Sequence, residues 1–117
     1  MALAALTCLL ALPALAQTGD VAKGKAAFED RCTMCHGPGR DGQGPKLAGV
    51  VGRRAGSAAG FPYSAALKAS GLVWTPANLE KFLAGPSKLV PGTAMTVTVS
   101  DPAQRRDIVA YLASLKR

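Results

Sequence analysis

A small all-α domain of about four to five helices is predicted for this chain from three observations. Apolar residues recur at helical spacing near both ends of the region after residue 20, and residues suited to helix caps precede those stretches. Two segments rich in glycine and proline, residues 37–60 and 86–100, show no periodicity and are predicted as long loops. The alternation over residues 95–99 leaves one short strand as an alternative, but it is isolated and no sheet is predicted.

The N-terminal segment is predicted to be separate from this domain. Residues 2–16 carry no charge, are almost wholly apolar and end in the small-x-small pattern Ala14-Leu15-Ala16. This arrangement is typical of a cleaved secretory signal peptide over residues 1–16, although its basic region is limited to the α-amino group. An uncut membrane anchor is the alternative, but a spanning helix needs ~20 apolar residues and this run is shorter. The mature domain is therefore predicted to comprise residues 17–117.

Helices are predicted at both ends of the mature domain. The first begins at an N-cap on Asp20 and runs to the region of Cys32. The last begins at Ser100 or Asp101, and Pro102 suits its first turn. The predicted apolar faces consist of Val21, Gly24, Ala27 and Phe28 in the first helix and of Ile108, Tyr111, Leu112 and Leu115 in the last.

Two shorter helices are predicted between these. Ser64 is the expected cap of a helix over residues 65–70. Thr75 is the expected cap of a second helix, with Pro76 at its first position and Gly85 after its end. The apolar residues predicted inside this second helix are Leu79, Phe82 and Leu83.

The mature domain has little material for a core of its own. A domain of this size buries only about two thirds of its unfolded surface, and the chain contains three Phe, two Tyr and one Trp. Cys8 lies in the predicted signal segment, so the mature cysteines are Cys32 and Cys35, which are too close in sequence to join distant segments. A large flat cofactor at the centre would supply the missing core.

Residues 32–36 form the motif C-x-x-C-H, written here Cys32-Thr33-Met34-Cys35-His36. This spacing is the attachment signature of haem c. The two thiols add across the vinyl groups of haem, and the adjacent histidine is thereby carried to the iron as an axial ligand. One covalent haem c with its iron is therefore predicted, held through Cys32 and Cys35, with His36 as one iron ligand.

Two other chemistries also use a C-x-x-C pair. A thioredoxin-like redox pair requires a βαβ context, whereas the segment before Cys32 is predicted to be helical. A zinc site requires four ligands, and the mature sequence offers no third cysteine and no histidine besides His36. Both are therefore disfavoured relative to haem attachment.

Met95 is the predicted second iron ligand. The methionines of the mature domain are Met34 and Met95, and His36 is the only histidine in the sequence. Met34 lies between the attachment cysteines, on the histidine side of the ring, so it cannot reach the opposite face. A methionine often serves only to fill a core, and lysine or tyrosine could replace it at high pH. Met95 is preferred because it is the remaining soft ligand and follows Pro91-Gly92 in a predicted loop.

Ligation by His36 and Met95 predicts an electron carrier rather than an enzyme. Two protein ligands fill both axial positions, so oxygen or peroxide finds no open site, and the thioether favours the ferrous state. The coordination is the same in both oxidation states, so little reorganisation accompanies electron transfer. A haem peroxidase or gas sensor would require an open iron site and is the less favoured alternative.

From Cys32 onward the sequence resembles the class I cytochromes c of the mitochondrial and bacterial soluble type. The resemblance covers essentially the whole mature domain and implies a small cytochrome c fold, in which helices and long loops wrap around one covalent haem. The motifs that carry it are CTMCH, Gly44-Pro45-Lys46-Leu47, Gly49-Val50-Val51-Gly52-Arg53, Gly60-Phe61-Pro62-Tyr63-Ser64, Trp74, Pro91-Gly92-Thr93-Ala94-Met95 and Ile108-Val109-Ala110-Tyr111-Leu112.

The resemblance also implies roles for individual residues. The carbonyl of Pro45 is expected to accept the proton on the far ring nitrogen of His36, which would orient the ring. The residues expected around the buried haem propionates are Arg53, Tyr63, Trp74 and Thr93. The residues expected where the terminal helices cross are Gly24, Phe28 and Tyr111 or Leu112. For the aromatic residues, ordinary core packing is an alternative that can hold at the same time.

Three features depart from the family pattern. The loop from His36 to Pro45 is shorter than in the mitochondrial proteins. Phe82 stands where many members have a tyrosine whose hydroxyl donates to the methionine sulfur, and Leu67 stands where an asparagine often helps to hold a buried water. A drier haem pocket, with fewer hydrogen bonds to Met95, is therefore predicted.

The charge balance indicates the kind of partner. The formal net charge is +7, and all fourteen Lys and Arg follow residue 16. A basic surface of this kind suits binding to acidic redox proteins. Nucleic acid is disfavoured as a partner because the protein is predicted to be exported and the sequence has no nucleic-acid-binding motif. The predicted role is that of a monomeric periplasmic shuttle between a cytochrome bc complex and an oxidase or photosynthetic centre, which contacts the membrane only through those complexes. A dedicated acceptor for one periplasmic dehydrogenase is the alternative. The cations expected to steer docking are Arg31, Lys46, Lys81 and Lys88.

Overall fold

The structure, a computed structural model, describes residues 19–116, so the predicted signal peptide over residues 1–16 lies outside the described residues. The helices of this part are α1 (Val21–Arg31), α2 (Ala65–Ala69), α3 (Pro76–Ala84), α4 (Pro86–Leu89) and α5 (Pro102–Ser114). Within residues 19–116 the β-type pairing is one isolated antiparallel bridge, between Arg54 and Val73. The all-α prediction is therefore confirmed. None of these helices is long and apolar enough to cross a membrane.

Side-chain caps explain where α1, α2, α3 and α5 begin. The Asp20 carboxylate accepts the backbone N–H of Lys23 at 2.9 Å, which satisfies one of the donors left unpaired at a helix start. The side chains of Ser64, Thr75 and Asp101 cap the other three helices in the same way. The predicted caps are confirmed, and Asp101 is the cap of α5 where the sequence left two candidates.

The two terminal helices, α1 and α5, cross in direct contact. A Cβ atom on Gly24 would lie 1.8 Å from the carbonyl oxygen of Asp107, so the backbones approach too closely for any side chain at residue 24. Beside this point the rings of Phe28 and Tyr111 pack at a centroid distance of 5.3 Å. The Asp107 carboxylate also accepts the N–H of Asp20 at 2.7 Å. The crossing predicted for Gly24, Phe28 and Tyr111 is confirmed.

The apolar faces of α1 and α5 are shorter than the periodicity indicated. Val21 was predicted on the core face of α1, but 47% of its surface is exposed, since it lies in the first turn at the edge of the contact with α5. Leu115 is half-buried and is the C-cap of α5 rather than a helical residue. Its carbonyl accepts the N–H of Gly49 at 3.1 Å, which ties the end of α5 to the loop after the C-x-x-C-H motif.

The α3 helix contributes the centre of the core. Leu79, Phe82 and Leu83 are buried as predicted. The ring of Phe82 packs on Trp74 at a centroid distance of 4.9 Å. Trp74 is held by two backbone bonds to the preceding loop, because its N–H donates to Arg53 at 2.8 Å and its carbonyl accepts from Gly52 at 2.8 Å. This pairing brings residues 52–55 and 72–74 together.

The segment over residues 86–100 was predicted to be all loop, and its first four residues instead form α4. The prediction of a loop at residues 86–89 is wrong because Gly85-Pro86 does more than end α3: a proline also suits the first position of a helix. The rest of the segment, including residues 95–99, is irregular, so the short strand left as an alternative does not form. Val99 is nevertheless 1% exposed, and its N–H donates to the Leu83 carbonyl at 2.7 Å.

Candidate haem site

The C-x-x-C-H motif is presented by the end of α1. Cys32 is the C-cap of this helix, and its N–H donates to the Phe28 carbonyl at 2.8 Å. The chain then folds back, because the N–H groups of Cys35 and His36 both donate to the Cys32 carbonyl, at 3.1 and 2.9 Å. The tight turn therefore places both thiols and the imidazole within one helical turn of each other.

The environments of the two cysteines suit attachment to a group packed against the core. Both are half-buried, and Cys32 packs against the central apolar cluster. Burial raises the pKa of the Cys32 thiol, and the neighbouring Arg31 charge opposes that rise. The neutral thiol is thus the favoured form of Cys32 until it forms its bond to carbon.

The orientation of His36 is set by the loop that follows it. Its Nδ1 lies 2.8 Å from the Pro45 carbonyl oxygen. A carbonyl only accepts, so Nδ1 carries a proton, and in the neutral tautomer with that proton the lone pair is on Nε2. Gly44 is held directly beneath, since its N–H donates to the Cys35 carbonyl at 2.8 Å and a Cβ atom there would lie 2.3 Å from Cε1 of His36. This role of Gly44 was not predicted from the sequence, in which the pair Gly44-Pro45 is the available signal.

Met95 lies in the irregular segment between α4 and α5. It is half-buried and packs against the apolar cluster. A turn in which the Thr93 N–H donates to the Val90 carbonyl at 3.0 Å precedes it, and Gly92 has a positive φ of 90°. Met34 has a different environment, since 92% of its surface is exposed. Met95 therefore packs against the core, whereas Met34 faces solvent.

Among the residues expected around the haem propionates, a hydrogen bond joins Arg53 and Trp74. Arg53 and Trp74 are joined by their backbone bond, and the Arg53 guanidinium donates to the Lys46 carbonyl at 3.2 Å. Tyr63 accepts the N–H of Ala58 at 3.2 Å through its hydroxyl. Thr93 is half-buried in the turn before Met95. The hydrogen bonds described within residues 19–116 do not link Tyr63 or Thr93 to the Arg53–Trp74 pair.

The two positions that depart from the family pattern are apolar in their surroundings as well as in sequence. Phe82 is 7% exposed and belongs to the central cluster, and Leu67 is half-buried against that cluster. Buried side-chain nitrogen or oxygen atoms without a partner are absent from residues 19–116. Both positions therefore contribute apolar side chains in or against the core.

The donor set fits a haem c. Two half-buried thiols on one turn, an imidazole bonded through Nδ1 and a thioether side chain packed against the core are the kinds of group that suit this cofactor. Groups of three or more His, Cys, Asp or Glu side chains suited to a bare metal ion are absent from the described part of the chain. The residues present thus match the haem interpretation of the motif.

Comparison with known proteins supports the same conclusion. The family model described as "Cytochrome c" matches residues 21–116. The chain is 47% identical to cytochrome c2 of Rhodopila globiformis over 104 residues, which cover 86% of this chain and 98% of that protein. It superposes on cytochrome cH from Methylobacterium extorquens with a TM-score of 0.79 and 49% identity, covering 82% of this chain and 99% of the other.

A further solved structure gives the same fold. Ferricytochrome c2 from Rhodopseudomonas palustris superposes with a TM-score of 0.78 and 42% identity, covering 83% of this chain and 99% of the other. The match of the family model over residues 21–116 includes the five described helices and the two attachment cysteines. The chain therefore belongs to the cytochrome c family, the electron-transfer proteins that carry a haem c covalently, here through Cys32 and Cys35.

Proposed function

We propose that this protein is a periplasmic single-electron carrier whose haem iron is bound by His36 on one side and Met95 on the other. The observation that carries the proposal is the 2.8 Å contact between His36 Nδ1 and the Pro45 carbonyl, which leaves Nε2 free to bind iron. Met95 is the matching donor because it is half-buried, whereas Met34 is almost fully exposed.

The surroundings of these ligands suit electron transfer. The haem supplies a reversible one-electron couple when it is bound. The imidazole is hydrogen-bonded to the Pro45 carbonyl and lies against the Gly44 backbone, so the ring has little freedom to turn. A firmly held ligand pair keeps the same geometry in both oxidation states, and this lowers the reorganisation that opposes electron transfer. The ligand pair also leaves no position for oxygen or peroxide, which is why a carrier is proposed rather than a peroxidase.

The proposed partners are redox proteins with acidic docking surfaces. The net charge of +7 favours fast encounters with such partners, and Lys46, Lys81 and Lys88 are exposed. A cytochrome bc complex or a periplasmic dehydrogenase would supply electrons, and an oxidase or photosynthetic centre would accept them. The carrier is proposed to act as a monomer after removal of residues 1–16, which resemble a secretory signal peptide.

Spectroscopy of the purified holoprotein tests the ligand assignment. A pyridine haemochrome spectrum should show one haem c per chain. The ferric protein should show the weak absorption band near the red end of the visible range that marks sulfur–iron ligation, and Met95→Ala should abolish this band and lower the potential. Met34→Ala is the matched control, since it removes an exposed thioether and should change neither quantity. Loss of the band in Met34→Ala, or its persistence in Met95→Ala, would refute the assignment.

A further inference from the structure

Two arginine side chains from different helices bind the segment that follows Met95. Arg31, the last residue of α1, donates through Nη2 to the carbonyl of Thr98 at 3.0 Å. The same guanidinium donates through Nη1 to the side-chain oxygen of Gln104 on α5, also at 3.0 Å. Arg31 therefore joins the end of α1 to Thr98, 67 residues later in the sequence, and to Gln104, 73 residues later.

The second arginine binds the next two carbonyls. Nη1 of Arg105 on α5 donates to Val99 at 2.7 Å and to Ser100 at 3.0 Å. Together the two guanidinium groups take three successive backbone carbonyls, which belong to Thr98, Val99 and Ser100. The N–H of Val99 is also bound, to the Leu83 carbonyl at 2.7 Å. Although residues 98–100 have no regular structure, their backbone carbonyls and the N–H of Val99 are therefore all hydrogen-bonded.

The position of Arg31 gives this arrangement a functional meaning. Its neighbour Cys32 begins the haem-attachment turn that carries His36, and its guanidinium holds the segment three residues beyond Met95. The side chain therefore connects the two segments that carry the proposed iron ligands. We infer that Arg31 and Arg105 are positioning residues that keep the Met95 segment closed over the haem, an inference that rests on the proposed His36 and Met95 ligation.

The chemistry of the bonds predicts how this clamp behaves. Every acceptor is neutral, being a backbone carbonyl or the amide oxygen of Gln104. The ion pair between Lys25 and Glu29 involves neither of these arginines. Hydrogen bonds to neutral acceptors gain little from long-range attraction between opposite charges, so salt has little to screen. The clamp should therefore hold at high ionic strength, when docking between charged proteins weakens.

Binding of imidazole to the ferric holoprotein tests the inference. Imidazole reaches the iron only when the Met95 segment opens, so its apparent affinity reports the opening equilibrium, and loss of the red-end band follows the reaction. Arg31→Ala should raise the affinity about fivefold, the effect of losing two modest hydrogen bonds at an exposed site. Gln104→Ala removes one acceptor and should raise it about twofold. The increase should be the same at low and high salt.

Two controls separate the clamp from a simple effect of charge. Lys23→Ala removes one exposed positive charge from the same helix and should leave the imidazole affinity unchanged. Arg31→Lys keeps the charge but lacks the planar fork that serves two acceptors, so it should retain only part of the wild-type closure. The clamp is wrong if Arg31→Ala behaves like Lys23→Ala, or if Arg31→Lys matches the wild type. Failure of the proposed ligation is distinct, because the red-end band would then be missing from the wild type itself.

Discussion

The imidazole of His36 lies directly against the backbone of Gly44, and no side chain fits between them. A Cβ atom on Gly44 would come within 2.3 Å of Cε1, 2.6 Å of Nδ1 and 2.7 Å of Nε2 of the ring. These distances are far shorter than van der Waals contact, so any other residue must displace the ring or the loop. The glycine thus helps to set the orientation of the proposed iron ligand, in addition to the hydrogen bond from the ring to the Pro45 carbonyl.

Gly44→Ala is expected to disturb His36. The added methyl group should lower the free energy of unfolding by about 1–3 kcal/mol, the usual cost of forcing extra volume into a packed site. It should also change the electron paramagnetic resonance spectrum of the ferric protein, because it displaces either the ring or the loop whose Pro45 carbonyl orients the ring. The control is Gly39→Ala in the same loop, where a Cβ atom would meet nothing within 4 Å. Equal spectra for the two variants would contradict the proposed constraint.

Gly24→Ala is expected to destabilise the crossing of α1 and α5. In an exposed helix the change would be stabilising by about 0.5–1 kcal/mol, because alanine has the higher helix propensity. Here the new Cβ atom would lie 1.8 Å from the Asp107 carbonyl oxygen, so the clash should outweigh the propensity gain. We expect a net loss of about 1–2 kcal/mol, measured by chemical denaturation followed by circular dichroism. A gain in stability would show that the helices separate at little cost.

Phe82→Tyr is expected to raise the reduction potential. Phe82 is buried against Trp74 in an apolar setting, and a hydroxyl there would have the Met95 sulfur as its proposed acceptor. A donor to the sulfur withdraws electron density and favours ferrous iron, and one hydrogen bond should raise the potential by about 20–60 mV. Phe61→Tyr adds the same hydroxyl to a half-buried ring that packs on Tyr63, and should have little effect. An unchanged midpoint in Phe82→Tyr would count against the dry pocket.

Lys88→Glu is expected to slow electron transfer to an acidic partner. Lys88 is exposed in the last turn of α4, shortly before the Met95 segment. Reversing its charge should reduce the second-order rate constant severalfold at low salt and much less at high salt, because the attraction is screened. Stopped-flow kinetics against a purified partner would measure both. Lys23→Glu is the control: it makes the same charge change at a position about 13 Å along α1 from the attachment turn. An equal slowing by that variant would argue against a local docking surface.

Those parts of the fold and of the site that depend on residues close together in the chain could be predicted from the sequence. The caps at Asp20, Ser64 and Thr75 each bond to a backbone N–H three residues later, so a short stretch of sequence contains both partners. The spacing of Cys32, Cys35 and His36 likewise predicts haem attachment from five consecutive residues, since two thiols and an imidazole on one turn suit a covalent haem. The periodic apolar residues of α3 are all buried for the same reason.

What the sequence pattern could not show depends on residues far apart in the chain. The contact of Gly44 with His36, the bonds of Arg31 to Thr98 and Gln104, and the exposure of Val21 follow from how the segments pack. From the sequence Arg31 is predicted only as a docking cation, and its hydrogen bonds to Thr98 and Gln104 in the folded protein are what connect it to the Met95 segment. Local rules describe backbone preferences and spacing, whereas these contacts exist only after distant segments have come together, so their consequences are visible only in the folded molecule.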